Sequence, residues 1–277
     1  MNYRISRILS VIFIISGLCI LNSCGGLLQQ HTEISNIIGQ DMVLAKQQSP
    51  YLIRGDVTIP ENVTVTVEPG VVLDFSGNNK ITVEGTFKAI GTESDPIIYK
   101  QYGKYYISGW YGLVFKSKKA NDSSIVKYGN ICQARFAIYC DGGSPQISYC
   151  TITANEIGIH LWNSNAVVSH NKISGNAQHG LYIGSLSPTI SNNVITQNNR
   201  GIVCDFAPTP NIQQNDVFGN TEYDFYVMRT ENDIQAPNNW WGSTNEPAIR
   251  QKIFDKQKDG SVGNVYINPI AVKPFTQ

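Results

Sequence analysis

The sequence predicts an all-β solenoid of parallel strands, about 22 residues per coil, closed by a short C-terminal helix and an extended tail. Three observations predict it. Segments written under one another at 21 or 22 residues align: "PQISYCTITANEIGIHLW" from Pro145, "AVVSHNKISGNAQHGLYIG" from Ala166, "PTISNNVITQNNRGIVCD" from Pro188 and "PNIQQNDVFGNTEYDFYV" from Pro210. Each holds three short apolar patches separated by Asn, Gly and Pro. Asparagines recur in two files. A fixed period of this size marks a solenoid, and the unit is too short for a helical pair.

Each coil reads as three short strands and three turns. Ile147, Val168, Ile190 and Ile212 form one aliphatic column; Ile152, Ile173, Ile195 and Val217 form a second; Ile159, Leu181, Ile202 and Phe225 form a third. Gly158, Gly180 and Gly201 come just before the third strand and read as tight-turn residues. Asn155, Asn176, Asn198 and Asn220 make one polar file. Asn171, Asn193 and Asn215 make another, with Cys150 in the earlier coil. In a parallel stack equal positions sit about 4.8 Å apart, so each amide reaches the carbonyl above it. Asparagine also accepts left-handed turn geometry. The polar residues are expected in turns and ladders, and the isoleucines in a narrow core.

Upstream, "GDVTIPENVTVTVEPGVVLDF" alternates through Val57, Ile59, Val63, Val65, Val67, Val71 and Leu73, and the pattern runs on to Phe115. "SSIVKYGNICQARFAIYC" is a further coil, with an inserted residue expected near Gly129 or Asn130. Roughly eight to nine coils would give a rod on the order of 40 Å. The expected segments are a leader at 1–23, a tether and N-terminal cap at 24–50, the solenoid at 51–236 and a C-terminal cap at 237–277. Ile34 to Tyr51 are expected to cover the first coil, and Trp240, Trp241 and Ile253 the last. "EPAIRQKIFD" reads as a short helix and "VYINPIAVKPF" as an extended segment across the last coil. "YKQYGKYYISGW" from Tyr99 is the most irregular stretch and reads as a solvated loop whose aromatics pack on the barrel. A monomer is expected.

Arg4 and Arg7 precede an apolar run from Ile8 to Leu21, the pattern of a secretory signal and short for a membrane span. The run ends in "LNSC". Ser23 before Cys24, with aliphatic Leu21, resembles the bacterial lipoprotein signal; Asn22 departs from it. That resemblance implies cleavage before Cys24 and diacylglycerol on its sulfur. The chain would then be held in a bacterial cell envelope, with "GGLLQQ" as a flexible tether.

From about Gly55 to Tyr266 the chain resembles the right-handed parallel β-helix class, the pectate-lyase-like superfamily. "YLIRGDVTIPENVTVTVEPGVVLDF" is similar to the first coils of secreted members, and the "PxIxxNxIxxNxxGI" phrase to the generic coil. "NNWWGSTNEPAIRQKIFDKQKDGSVGNVYINPI" is similar to a closure in bacterial members. The resemblance is specific for fold. That fold hosts lyases, hydrolases, epimerases and adhesins.

With 21 basic and 21 acidic side chains, net charge is zero before histidine is counted. This gives no reason to expect nucleic acid, an anionic membrane surface or a strongly acidic substrate. Cys19 leaves with the leader. Cys132, Cys140, Cys150 and Cys204 show no zinc spacing and read as small buried hydrophobes. No cofactor and no metal are called for.

Alternation in the third strand predicts its outward side chains. With Ile138, Ile159, Leu181, Ile202 and Phe225 facing in, the outward file is Tyr139, His160, Tyr182, Val203 and Tyr226, with Trp162 beside it. Flat rings stack against the apolar faces of sugars, and tyrosine hydroxyls and the indole bind sugar hydroxyls. A glycan-binding face is therefore expected at Tyr139, His160, Trp162, Tyr182 and Tyr226. Aromatics on strand surfaces also stack on one another and shield the sheet. Catalysis has less support. Lyases of the resembled class combine acidic calcium ligands with a base, and its hydrolases cluster aspartates. Asp141 and Asp205 share an outward column but stand three coils apart, roughly 14 Å, beyond the about 5–9.5 Å of a glycosidase pair. His160, His170 and His179 fall in different parts of the coil. The reading is an exported, non-catalytic β-helix that binds a glycan or surface partner. A polysaccharide lyase or glycoside hydrolase for an acidic polysaccharide is the alternative, through a one-residue register error that would exchange inward and outward sets. A structural or adhesive rod that binds protein is the third.

Overall fold

The computed structural model describes residues 31–103, 109–116 and 123–275. The expected leader, Cys24 and most of the tether lie outside them, as do residues 104–108 of the irregular stretch.

A typical coil runs through the strands Gln146–Ser148, Thr151–Thr153 and Ile157–Trp162. Each pairs in parallel with its counterpart one coil on: Ile147 lies on Val168, Ile152 on Ile173 and Ile159 on Leu181. Among the described residues the first strands stack into a sheet of eight. The second and third strands share one larger sheet, because the strand Tyr51–Ile59 runs round the corner between them. Its first half pairs with Leu73–Phe75 and its second half with Ile81–Val83. The three aliphatic columns are buried throughout and form one continuous core.

Both asparagine files are hydrogen-bonded ladders. Asn155 Nδ2 donates to Asn176 Oδ1 at 3.0 Å, Asn176 to Asn198 at 2.9 Å, and Asn198 to Asn220 at 3.0 Å. The same Oδ1 atoms accept the backbone N–H of the preceding asparagine. Each Nδ2 also donates to a carbonyl one coil back, as Asn198 does to Ile173. The second ladder climbs from Asn171 through Asn193 and Asn215 to Asn239. Cys150 opens it: its N–H donates to Asn171 Oδ1 at 2.9 Å, and its sulfur accepts the Gly129 N–H. Burial pushes that thiol up to about 12. Among the described residues Cys132, Cys150 and Cys204 are free thiols; Cys140, Cys150 and Cys204 are buried and Cys132 is half-buried.

Two turn roles differ from expectation. The left-handed residue precedes each ladder asparagine instead of being it: Tyr149, His170, Asn192 and Gln214 on one corner, and Ala154, Gly175, Gln197 and Gly219 on the other. The ladder residue must turn its amide inward, so the bend is made one step earlier. Gly158, Gly180 and Gly201 do not have positive φ. They are needed for space. A Cβ at Gly180 would stand 2.7 Å from Asn198 Nδ2, and one at Gly201 would stand 2.5 Å from the Asp224 carbonyl oxygen.

Two segments also differ. The stretch read as an N-terminal cap supplies parallel strands of its own. Thr32–Ile37 pairs with Tyr51–Ile59, and Met42–Leu44 pairs with Thr64–Val67. Its residues lack the Asn and Gly punctuation of later coils, which hid the repeat. No residue is inserted near Gly129, since Val126 lies on Ile147, Ile131 on Ile152 and Ile138 on Ile159. Tyr99 and Trp110, at the two ends of the irregular stretch, are fully buried, and Trp110 stacks on Phe75 at 3.9 Å.

At the far end, the helix spans Glu246–Gln251, with Asn245 accepting the Ala248 N–H as N-cap. It stops short of the expected end because Ile253–Phe254 pairs as a strand with Phe225 and Tyr226. Trp241 is buried and meets Phe225 edge-on at 6.3 Å. Val265–Tyr266 pairs with Ile234–Gln235.

The ladder makes a direct prediction. Asn198→Ala would leave the Asn176 backbone N–H and side-chain amide without their acceptor in a dry site. It should lower unfolding free energy by on the order of 3 kcal/mol. Asn199→Ala, at a partly exposed site with one long 3.4 Å contact to Glu222, should be close to neutral. Denaturant midpoints of the two variants check this.

Candidate functional site

The third-strand register is the one read from the sequence. Tyr139 lies on His160, His160 on Tyr182, Tyr182 on Val203, Val203 on Tyr226, and Tyr226 on Phe254. A second file, Phe136, Ile157, His179, Arg200 and Tyr223, runs along the start of the same strands. Asp141 pairs in register with Trp162 at their end.

The rings form a layer packed mostly on itself. Phe136 and Tyr139 stack at 5.4 Å, Tyr139 meets His160 edge-on at 4.9 Å, and His160 lies 4.3 Å from Tyr182. Tyr226 stacks on Phe254 at 4.4 Å, and the Arg200 guanidinium sits 3.9 Å over the Tyr226 ring. Both faces of Tyr226 are thus occupied. Tyr182, expected as an accessible sugar contact, is only 8% exposed, and Val203 is fully buried. The reason is a group of residues that strand alternation does not reveal.

Tyr182 O–H donates to Asp205 Oδ2 at 2.5 Å. Arg229 binds the same carboxylate through Nε and Nη2. Asp205 Oδ1 also accepts the Phe206 N–H at 3.0 Å. Asp205 is fully buried while Arg229 is 61% exposed, so the guanidinium roofs the carboxylate. Four donors fill the lone-pair directions of the carboxylate, which suits an anchor. Burial and the Asp205 hydrogen bond push the Tyr182 hydroxyl upward, so the phenol stays a donor.

Trp162 and Phe206 stand beside this anchor. The edge of the Trp162 ring meets Gly184, where a Cβ would come within 2.3 Å of Cε3 and 2.8 Å of Cζ3. Phe206 is 45% exposed and set at 87° to the indole, with centroids 5.1 Å apart. The Arg229 guanidinium lies 4.5 Å from the Phe206 ring centre. Phe206 and the next residue, Ala207, both have positive φ. In the same turn of other coils the left-handed residue is Gly142, Asn163, Leu186 or Arg229. Sequence reading missed Phe206 and Arg229. The signal that could have found Phe206 is a bulky ring in a turn column that holds Gly142 and Asn163 in earlier coils.

The acidic side chains around the face have cationic partners. Lys116 Nζ is 3.3 Å from Asp141, Arg135 Nε is 3.9 Å from Glu156, and Arg200 holds Glu222 through two hydrogen bonds of 2.7 and 3.1 Å. The Arg200 hydrogen bond holds the Glu222 carboxyl below its usual range. Among the described residues no three His, Cys, Asp or Glu side chains are grouped to hold a metal ion. His170 stands apart, stacked on Tyr149 at 4.8 Å. His160 and His179, expected in different parts of the coil, both flank Tyr182.

The chain belongs to the family described as "Right handed beta helix region", whose match spans residues 104–247, just over half of the 277. That fold is consistent with carbohydrate-binding and lyase-type superfamilies in general. Protein bark beetle of Drosophila melanogaster is 35% identical over 77 residues, which is 26% of this chain and 2% of that protein. The chain therefore spans only a small fraction of the relative it matches. No solved structure matches it.

The two histidines set a pH response. Burial pushes each imidazole down to about 4; the neighbouring His179 adds to the effect at His160, and Arg200 adds to it at His179. Asp141 and Asp205 oppose it at His160; a hydrogen bond with the Gln178 backbone, and then Glu222, oppose it at His179. Each Nδ1 is buried without a partner. The unfolded chain protonates near its ordinary pKa of about 6.5. Between about 6.5 and 4 the unfolded state binds more protons, so stability is complete above that window and falls as pH drops through it. The loss should reach a few kcal/mol in all. His160→Phe combined with His179→Gln should flatten this slope, read as denaturation midpoints from pH 7.5 down to 4. A wild-type slope in the double variant would count against the assignment.

Proposed function

We propose that this chain is an exported protein, held at a bacterial cell envelope by lipid on Cys24, that binds a glycan on the outward third-strand face without turning it over. The observation that carries the reading is the outward file in continuous register from Tyr139 to Phe254, aromatic at every coil but that of Val203 and edged by Trp162 and Phe206. Aromatic rings and hydroxyls in a row suit an extended saccharide. The carboxylates near the layer favour binding over cleavage in this reading. Asp205 is saturated by donors, and Asp141, Glu156 and Glu222 each stand beside a cation. Within this face Tyr182 is a support and Trp162 is a contact.

Native affinity electrophoresis of the full chain carrying Cys24→Ser, through neutral and acidic polysaccharides with and without calcium, tests the binding. Retardation without shortened or unsaturated products is the expected result. Products would establish a lyase or hydrolase instead, and no retardation with any polymer would favour a protein-binding rod. Anchoring has its own readout. Expressed in a bacterial host, the wild-type chain should partition into a detergent phase, and Cys24→Ala should stay in the aqueous phase or unprocessed.

A further inference from the structure

We propose that the corner between Trp162 and Phe206 is a subsite for one uncharged pyranose ring within a polysaccharide; this rests on the glycan-binding reading above and gives it a place and a ligand class. A sugar stacks only on a ring with a face to offer. Tyr226 has Arg200 on one face and Phe254 on the other. Tyr182 is covered, and His160 is held between Tyr139 and Tyr182. Trp162 is different. The edge of its six-membered ring, Cε3 and Cζ3, meets Gly184, a residue without a side chain, and the indole is half-buried, so that contact with the sheet uses an edge and not a face. Phe206 stands at a right angle to it as a wall.

The corner is built at a cost. Phenylalanine is a rare occupant of left-handed backbone, and two such residues in succession are rarer still. Asp205 holds that turn by accepting the Phe206 N–H, while Arg229 lies on the phenyl ring and clamps the carboxylate. None of this is required to close the coil, since Gly142 and Asn163 make the same turn without it.

Charge selects the ligand class. Among the described residues the charged groups at the corner are two ion pairs, Lys116 with Asp141 and Arg229 with Asp205. A uronate carboxylate would have to compete there with a carboxylate already in place, and among the described residues no carboxylate cluster stands ready to share calcium with it. Each pair retains hydrogen-bonding capacity. Asp141, in register beside Trp162 and partly exposed, accepts from sugar hydroxyls. Arg229 binds Asp205 through Nε and Nη2, which leaves Nη1 to donate.

The test is affinity electrophoresis of the full chain carrying Cys24→Ser, in uncharged β-glucan, xylan and galactomannan gels and in a polygalacturonate gel, at about 0.05 and 0.5 M NaCl. The expected result is retention by an uncharged polymer that does not change with salt. Trp162→Ala and Phe206→Ala should each weaken it about tenfold or more. Gly184→Ala keeps every contact atom but displaces the indole, and should weaken it similarly with its thermal midpoint close to wild type. That variant keeps the test decisive if either ring deletion impairs folding. Retention by polygalacturonate alone, falling with salt, overturns the subsite and leaves the glycan reading standing. So does retention by an uncharged polymer that all three variants preserve. Retention by no polymer overturns both.

Discussion

The asparagine ladders are the constraint on which the rest of the fold depends. At two of the three corners of a coil a backbone N–H turns inward, where no water is available to it. The next coil supplies the acceptor as the Oδ1 of an asparagine, and that asparagine gives its own N–H to the one after. A buried donor without an acceptor costs about 1–3 kcal/mol, so a coil that slips loses several bonds at once. The ladder thereby fixes the phase of each strand as well as the shape of each turn. Its ends are also specified. Asp224 accepts from Asn220 and Asn239 accepts from Asn215, so neither file stops on an open amide. Burial raises the Asp224 pKa, which is the strain of ending a neutral file on an acid.

Fixed phase has a consequence for the outer face. Because Ile159, Leu181, Ile202 and Phe225 must face in, Tyr139, His160, Tyr182, Val203 and Tyr226 are forced into one file at the strand spacing of about 4.8 Å. That distance is close to a stacking distance, so neighbouring rings satisfy one another and lose accessible faces. A solenoid with a ring at every coil would be a shield. Two breaks in the pattern keep part of it open: Gly184, which leaves room for the edge of the Trp162 ring, and Phe206, which leaves the strand and rises from the turn.

The inward columns, the ladders and the third-strand register were legible because each repeats at a period set by the backbone. Ile147 with Val168, or Asn176 with Asn198, identify one another in the sequence. The burial of Tyr182 was not legible, since it depends on Asp205 one coil on and on Arg229 in the turn of the coil after that. Such contacts between unlike positions leave no periodic trace. His160 and His179 lie apart in the repeat because one sits mid-strand and the other at a strand start; a one-coil offset brings both to Tyr182. The strands at 32–37 and 42–44 are illegible in the sequence for the opposite reason. They obey the parallel stacking but carry none of the glycine and asparagine marks by which later coils are recognised.

Asp205 shows how a strained feature is held. Taking a carboxylate out of water costs several kcal/mol unless its lone pairs are filled. Here Tyr182, Arg229 and the Phe206 N–H fill them. Three separate pieces of the chain are tied by that one group: the aromatic file through Tyr182, the next turn through Arg229, and the left-handed turn through Phe206. Replacing the group with an apolar residue would suit the sheet as well and would leave the turn without its restraint. The burial of charge is therefore best understood through position. It fixes a phenyl ring at right angles to an indole, at a corner where the backbone alone would favour glycine or asparagine.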